Sequence, residues 1–230
     1  MKLSIIVPVL DEAAGIEGAL SALAPLRSRG VEVIVVDGGS SDSTPAVAAV
    51  LADRVLTAPR GRALQMNAGA REATGEVLLF LHADTRLPGN ADRLVLEGLA
   101  ASGRDWGRFD VRIASRAPLL RVVSAFMNAR SRLTGIATGD QAIFVRRGTF
   151  EDVGGFPPIA LMEDIAFSKA LGRRGSPLCL RDKALTSGRR WERRGALRTI
   201  VLMWRLRLAY FLGADPARLA KRYGDGRATR

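Results

Sequence analysis

The chain has 230 residues, 47% of them hydrophobic, with a formal net charge of +12 from 35 Lys and Arg against 23 Asp and Glu. That is long for one domain, short for two, and apolar enough for a substantial core, so one α/β domain with a C-terminal extension is expected. One cysteine (Cys179) and one histidine (His82) exclude an intramolecular disulfide framework and a thiolate metal cluster, and argue against a His-based zinc site or a Ser-His-Asp triad. No run approaches the ~20 apolar residues of a membrane span. The opening run, interrupted by Pro8, is too short and too early for a signal peptide, so a cytoplasmic protein is expected.

In chain order, Leu3–Val9 reads as a first strand, and Asp11 or Glu12 opens a helix with Ile16, Leu20, Leu23 and Leu26 on one face, ending near Gly30. Val31–Val36 is a second strand that runs into Asp37-Gly38-Gly39-Ser40-Ser41-Asp42-Ser43-Thr44. Asp42 or Ser43 is the expected N-cap there, with Pro45 in the first helical turn. A strand, a glycine turn and a helix let a phosphate or nucleotide approach the backbone, although an ordinary βα turn has the same look. G-x-G-x-x-G and the P-loop Lys are both absent. A short strand at Arg54–Thr57 precedes a helix through Leu64, Met66, Ala68 and Ala70. Val77–Leu81 is then an unbroken apolar run, the pattern of a strand buried on both faces, and it ends at His82-Ala83-Asp84. These βαβ units predict a mostly parallel sheet with flanking helices, whose ligand site lies off the carboxyl ends of its strands.

Beyond Asp84 the pattern loosens. Asp92–Ala101 is helical and Trp106–Ile113 alternates like a strand. Leu119–Leu133 is amphipathic, and Gly139–Val145 reads as a strand entered through a polar turn. Leu161–Leu171 is a helix opened by Glu163 and Asp164, acids that by themselves do no more than oppose the helix dipole. Gly195–Leu212 is an apolar helix broken by Arg198, Arg205 and Arg207, with Gly213 as its stop. It packs on the domain or lies on anionic lipid, and different faces can do each. From Arg189 onward twelve basic residues face three acids (Glu192, Asp215, Asp225), which suggests an anionic partner.

Ser4–Glu12, Val35–Thr44, Asn67-Ala-Gly69, Leu81–Asp84 and Glu163-Asp164 occur in an order and spacing that resembles the family 2 glycosyltransferases, inverting enzymes of GT-A type fold. Gly61–Ala70, Gly139-Asp-Gln141 and Gly154-Gly-Phe-Pro157 look like the small bacterial selenodomain-associated transferases. The resemblance covers about residues 3 to 190 and implies one transferase domain over 1–190. Its nucleotide-binding part is about 1–90 and its acceptor part about 91–190, with a basic helical extension at 191–230. It implies that Asp37 hydrogen-bonds the nucleotide base, with Pro8, Val9 and Glu12 along the nucleoside. It further implies that Gly38, Arg62, Asn67, His82, Ala83, Asp140 and Gln141 lie around the nucleotide-sugar. Asp84, at the last position of the D-x-D motif, would hold Mg²⁺ or Mn²⁺ against the diphosphate, and Asp164 would be the general base, with Glu163 as its rival.

Three departures from the family pattern bear on that carry-over. Gly38 replaces a second Asp. Met66 replaces a basic residue, which leaves the phosphate contact to Arg62 or Arg60. His82 replaces the first metal-motif Asp and reads as a neutral hydrogen-bonding neighbour, a substitution that Mg²⁺ or Mn²⁺ tolerates when phosphates and waters complete its shell.

The expected activity is therefore metal-assisted transfer of a sugar, from a UDP-sugar donor, to an acceptor hydroxyl that a lipid could carry. Two alternatives stay open at this stage. One is a sugar-phosphate nucleotidyltransferase, which shares the sheet type; the other is a non-enzymatic basic module on membrane or nucleic acid. Sparse aromatics, not interleaved with the arginines, speak against nucleic acid.

Overall fold

The computed structural model describes residues 1–224, without the side chains of Arg190, Arg193 and Arg194; Asp225, Arg227 and Arg230 of the expected basic tail lie outside the described residues. The first half comprises β1 (Leu3–Val9), α1 (Ala13–Ser21), α2 (Ala24–Arg27), β2 (Glu32–Asp37), α3 (Thr44–Leu51), β3 (Arg54–Thr57), α4 (Arg62–Glu72) and β4 (Val77–Phe80). There follow β5 (Thr85–Arg86), α5 (Ala91–Ser102), β6 (Trp106–Ala114), α6 (Pro118–Thr134), a 3₁₀ turn (Gly139–Gln141), β7 (Phe144–Arg146) and α7 (Arg147–Asp152). The chain continues through α8 (Glu163–Gly172), β8 (Leu178–Ser187), α9 (Arg189–Arg194), α10 (Ala196–Phe211) and α11 (Pro216–Gly224).

All strands join one sheet in the order β3-β2-β1-β4-β7-β6-β8-β5. The β3-β2-β1-β4 half is parallel, β7 is antiparallel to both its neighbours, β6 and β8 are parallel, and β5 closes the edge antiparallel to β8. In a flat sheet four strand spacings would put β4 and β5 about 19 Å apart. Residues 81–84 join them directly, and an extended chain from Phe80 to Thr85 reaches at most about 18 Å, so the sheet curls back on itself. The residues from His82 to Asp84 bridge the mouth of that curl.

Strand alternation builds a core on each face. Ile5, Val7, Val33, Val35, Val77 and Leu79 meet α1, α3 and α5, whereas Ile6, Ile34, Val36, Leu78 and Phe80 meet α4 and α8. The second face carries an aromatic cluster. Phe156 lies 4.0 Å, centroid to centroid, from Phe167 of α8 and 4.8 Å from Phe80 of β4. Pairs of this kind add about 0.5–1.5 kcal/mol each beyond area burial, and here they seat α8 against the end of β4.

The structure departs from the sequence reading where tertiary contacts override local pattern. The single helix expected up to Gly30 is two, α1 and α2, with Pro25 starting the second. Glu12 opens α1 as its N-cap residue, its carbonyl accepting from Ile16 N–H at 2.9 Å, but its side chain does not cap. Asp11 has φ 51°, and the first helical N–H, on Ala13, donates instead to Asp42 Oδ2 at 3.1 Å from the neighbouring turn. The strand expected over Gly139–Val145 begins as the 3₁₀ turn, and β7 starts only at Phe144. The sequence reading also misses β5, β8, α7 and the division of the C-terminal extension into α9, α10 and α11. Arg181-Asp182-Lys183 interrupts the apolar pattern of β8, where the register with β6 slips between Phe109 and Asp110.

One face of α10 packs on the domain: Leu202, Leu206 and Tyr210, with Leu219 and Tyr223 of α11, cover Met162 and Ile165 at the start of α8. Lys169 of α8 sits 4.4 Å from the Phe211 ring centroid. The other face leaves Leu197, Val201, Trp204 and Leu208 exposed. No helix among the described residues is long and apolar enough to cross a membrane.

Candidate active site

The carboxyl ends of β1, β2 and β4 share one edge, with Val9 beside Asp37 in register and Leu81 N–H donating to Ile6 O at 2.9 Å. Two turns are tied together there. Asp11 Oδ1 accepts from Ser41 N–H at 2.8 Å, and Glu12 N–H donates to Thr44 Oγ1 at 2.8 Å. Thr44 in turn hydrogen-bonds Asp42, and these bonds hold the Asp42 carboxyl below its usual range. Asp37 is 4% exposed, and its carboxylate accepts from Gly39 N–H and Ser40 N–H at 2.9 Å each and from Ser40 Oγ at 2.5 Å. Gln65, which the sequence reading passed over, donates through Nε2 to Val9 O and Val36 O, at 2.8 Å each. A Cβ at Gly38 would lie 3.1 Å from the Gln65 amide, so any larger residue there would press on the side chain that bridges β1 and β2.

At the end of β4 the residues converge differently. His82, Asp84 and Asp140 each present a donor atom, all within 4.8 Å of one another. His82 Nδ1 is 3.4 Å from Asp140 Oδ1, and Thr186 Oγ1 reaches the same oxygen at 3.5 Å. The Asp84 backbone is held by Ser187 N–H donating to its carbonyl at 3.0 Å. One imidazole and two carboxylates are a donor set suited to a divalent cation that keeps open positions for phosphate oxygens. Asp140, expected around the nucleotide-sugar, thus stands beside Asp84, and His82 faces the same point as the two acids.

The 3₁₀ turn connects this cluster to a second one. Gly139 N–H donates to Asp164 Oδ2 at 2.9 Å, and Ile165 N–H donates to Asp164 Oδ1 at 2.8 Å. A Cβ on Gly139 would fall 2.3 Å from the His82 ring, so only glycine lets the turn pass over the imidazole. Gln141 is fully buried and accepts from Thr138 N–H at 3.2 Å, bracing the turn that presents Asp140. Glu163, next to Asp164, is 6% exposed. Burial first, and then the charge of Asp164, push its carboxyl above the usual range, while Arg62 and His82 act the other way. Among the described residues, Asp11, Ala142 and Met162 are the non-glycine residues with positive φ, at 51°, 47° and 69°. Each adjoins a segment of this site, as expected where the surrounding structure holds functional residues in place.

A cavity of about 720 Å³ joins the two clusters. Arg62, His82, Asp84, Asp140, Glu163 and Asp164 line it. Pro8, Val9, Glu12, Asp37, Gly38, Asn67, Ala83 and Gln141, also expected near the donor, are not in its wall. Asn67 bonds the Phe156 backbone in both directions, at 2.8 and 2.9 Å, and so anchors the turn before α8. Much of the remaining wall comes from α6 and α10 and includes two residues that sequence reasoning did not single out for the site, Arg130 and Arg207. Their helices read simply as amphipathic, and nothing local signals that they meet.

Comparisons with known proteins agree with this architecture. The glycosyl transferase family 2 model matches residues 4–150. A PGL/p-HBAD biosynthesis glycosyltransferase of Mycobacterium bovis is 37% identical over 91 residues, 36% of this chain and 36% of that protein. An uncharacterized glycosyltransferase of Nostoc sp. is 31% identical over 91 residues, 36% of this chain and 28% of its own length. The match therefore spans only 36% and 28% of the lengths of these two curated relatives. Among solved structures, the Pyrobaculum calidifontis mannosyltransferase in complex with GDP-Man and Mn²⁺ superposes with a TM-score of 0.65 at 25% identity, covering 90% of this chain and 60% of that one. S. aureus TarS 1-349 in complex with UDP-GlcNAc gives 0.65 at 20% identity, covering 81% and 58%, a likeness of fold. The sheet, its curl and the family match have one reading: the fold is of GT-A type, and the chain belongs to glycosyl transferase family 2.

Proposed function

We propose that the chain transfers a sugar from a UDP-sugar to an acceptor hydroxyl with inversion at the anomeric carbon. The observation that carries this reading is the cavity itself, which presents two acidic clusters in different surroundings to one space. Family membership sets aside the nucleotidyltransferase and the non-enzymatic module.

His82, Asp84 and Asp140 are the residues that would hold Mg²⁺ or Mn²⁺, and the donor set fits such an ion. Bound there, a divalent cation supplies charge neutralisation to a departing diphosphate. Arg62, at the N-terminal end of α4, adds a fixed positive charge on the same side, and that helix end favours anions in its own right. Asp37 and its turn select the base, and Pro8, Val9, Glu12, Gly38 and Ala83 border the nucleoside. Asn67 and Gln141 act on the donor through the segments they anchor. Asp164 takes the proton of the acceptor hydroxyl. Its two oxygens are aimed by the Gly139 and Ile165 amides, and inversion requires attack from the face opposite the leaving group, hence a base apart from Asp84. Glu163 shapes the field around it. The exposed face of α10, flanked by Arg198 and Arg205, rests on an anionic membrane surface.

The test is calorimetry of UDP, GDP, CDP and ADP with and without Mn²⁺, then NMR of the product anomer from the best donor. UDP binding that strengthens with Mn²⁺, with inversion, is expected; indifference to the base, or retention, overturns the reading.

A further inference from the structure

We propose that the acceptor is an anionic amphiphile, with its apolar chain in the trough between α6 and α10 and its phosphate on Arg130 and Arg207. The proposal rests on the transferase reading above and names the acceptor class for the same cavity. Past the acidic clusters the wall turns apolar, with Val122, Phe126 and Met127 from α6 facing Ile200, Met203 and Trp204 from α10. Phe126 and Trp204 are 72% and 71% exposed, side chains that water solvates poorly and an alkyl chain would cover.

Charge complementarity identifies the head of that chain. Arg130 Nε and Nη2 and Arg207 Nε are shut off from solvent and make no hydrogen bond, and neither guanidinium has an ion pair within 4.0 Å among the described residues. Burying a donor unpaired costs about 1–3 kcal/mol, and more when it is charged. Two cations side by side raise that cost. Burial, and then the Arg207 charge, lower Arg130 to about 10, with Asp164 opposing. Burial lowers Arg207 too, again with Asp164 opposing. A phosphate offers several acceptor oxygens to planar N–H forks and reverses both penalties. The donor's diphosphate belongs elsewhere, beside Arg62 and the His82–Asp84–Asp140 cluster. Arg130 of α6 and Arg207 of α10 both lie within the electrostatic reach of Asp164, so a phosphate held there leaves a neighbouring hydroxyl at the base.

The full chain is titrated with decyl phosphate below its micelle concentration, decanol and inorganic phosphate, read by the fluorescence of Trp191 and Trp204 in the cavity wall. Decyl phosphate is expected to bind about 10-fold or more tighter than either control, the range of hydrogen bonds to a charged group. Arg130→Gln and Arg207→Gln should each remove most of that preference while decanol binding holds, and Phe126→Ser should weaken both alkyl ligands. Arg207→Lys, which keeps charge without the fork, should fall between, and far-UV circular dichroism confirms folding of each variant. Equal affinity for decanol overturns the proposal, as does a preference that survives the double glutamine variant. Inorganic phosphate binding as tightly as decyl phosphate reduces the site to a free-phosphate pocket and overturns the amphiphile. A parallel titration with UDP-sugar and Mn²⁺ separates the two readings. Donor binding without decyl phosphate binding overturns this inference alone; the converse overturns the transferase reading and leaves the amphiphile site standing.

Discussion

Gly139 donates its backbone N–H to Asp164 at 2.9 Å, while the space its missing Cβ leaves is filled by the His82 ring. One residue thus sets the distance between the proposed cation cluster and the proposed base. Gly139→Ala puts a methyl 2.3 Å from the imidazole, so either His82 or the 3₁₀ turn must move. Both clusters should suffer: Mn²⁺-dependent donor binding and turnover fall together, while stability drops only by the cost of local overpacking, about 1–3 kcal/mol. Donor calorimetry and a melting curve on the same sample check this, and unchanged donor binding would detach His82 from the ion.

Asp84 carries no comparable structural duty, since its backbone carbonyl rather than its carboxylate pairs with Ser187, and its side chain is exposed. Asp84→Ala should leave the melting midpoint within a degree or two. Transfer should fall on the order of 10³-fold, several kcal/mol of lost charge stabilisation. Full activity of the wild-type chain in excess chelator would defeat the metal assignment for all three residues.

The parallel half and its turn were legible in the sequence because each element there is locally self-consistent. Leu3–Val9 and Val77–Phe80 are apolar runs too short for helices, and glycines and serines follow Asp37 where the chain reverses. What local pattern does not carry is contact between distant segments. Asp140 lies 58 positions after His82, and the two meet only because the sheet curls. Gln65 looked like one more helical residue, although its amide bridges β1 and β2. Arg130 is one more position on an amphipathic helix and Arg207 one of three arginines that break an apolar one; they share a cavity wall only because α10 lies along the start of α8.

Glu163 makes the pH dependence of stability specific. Its folded carboxyl titrates above the ordinary 4.5, so between those two values the native state binds more protons than the unfolded one. Stability from this group is therefore lost as pH rises from 4.5 through the folded value. Glu163→Gln removes that loss. The variant should melt higher than wild type at pH 8, and the gap should close near pH 4. Melting curves across that range decide it; a gap that widens on acidification would mean the carboxylate is stabilised, not strained, by its burial.

Asp164 is where binding and catalysis should come apart. Both its oxygens accept backbone N–H groups, so Asp164→Asn keeps the shape but can satisfy only one of them, and the side-chain amide meets the other donor. That local cost, about 1–3 kcal/mol of stability, is to be measured first so that turnover is compared between folded proteins. Donor affinity should stay within a few-fold, since the residues proposed to hold the diphosphate are untouched. Transfer should fall by roughly 10²–10⁴, the contribution of a positioned base. Glu163→Gln should cost less, because Glu163 is proposed to shape the field around the base rather than to take the proton, its carboxyl buried and raised above the usual range beside Asp164. Full transfer by Asp164→Asn with loss in Glu163→Gln would move the base by one residue. Full transfer by both would leave the pair as nothing more than acids in the first turn of α8, opposing its dipole.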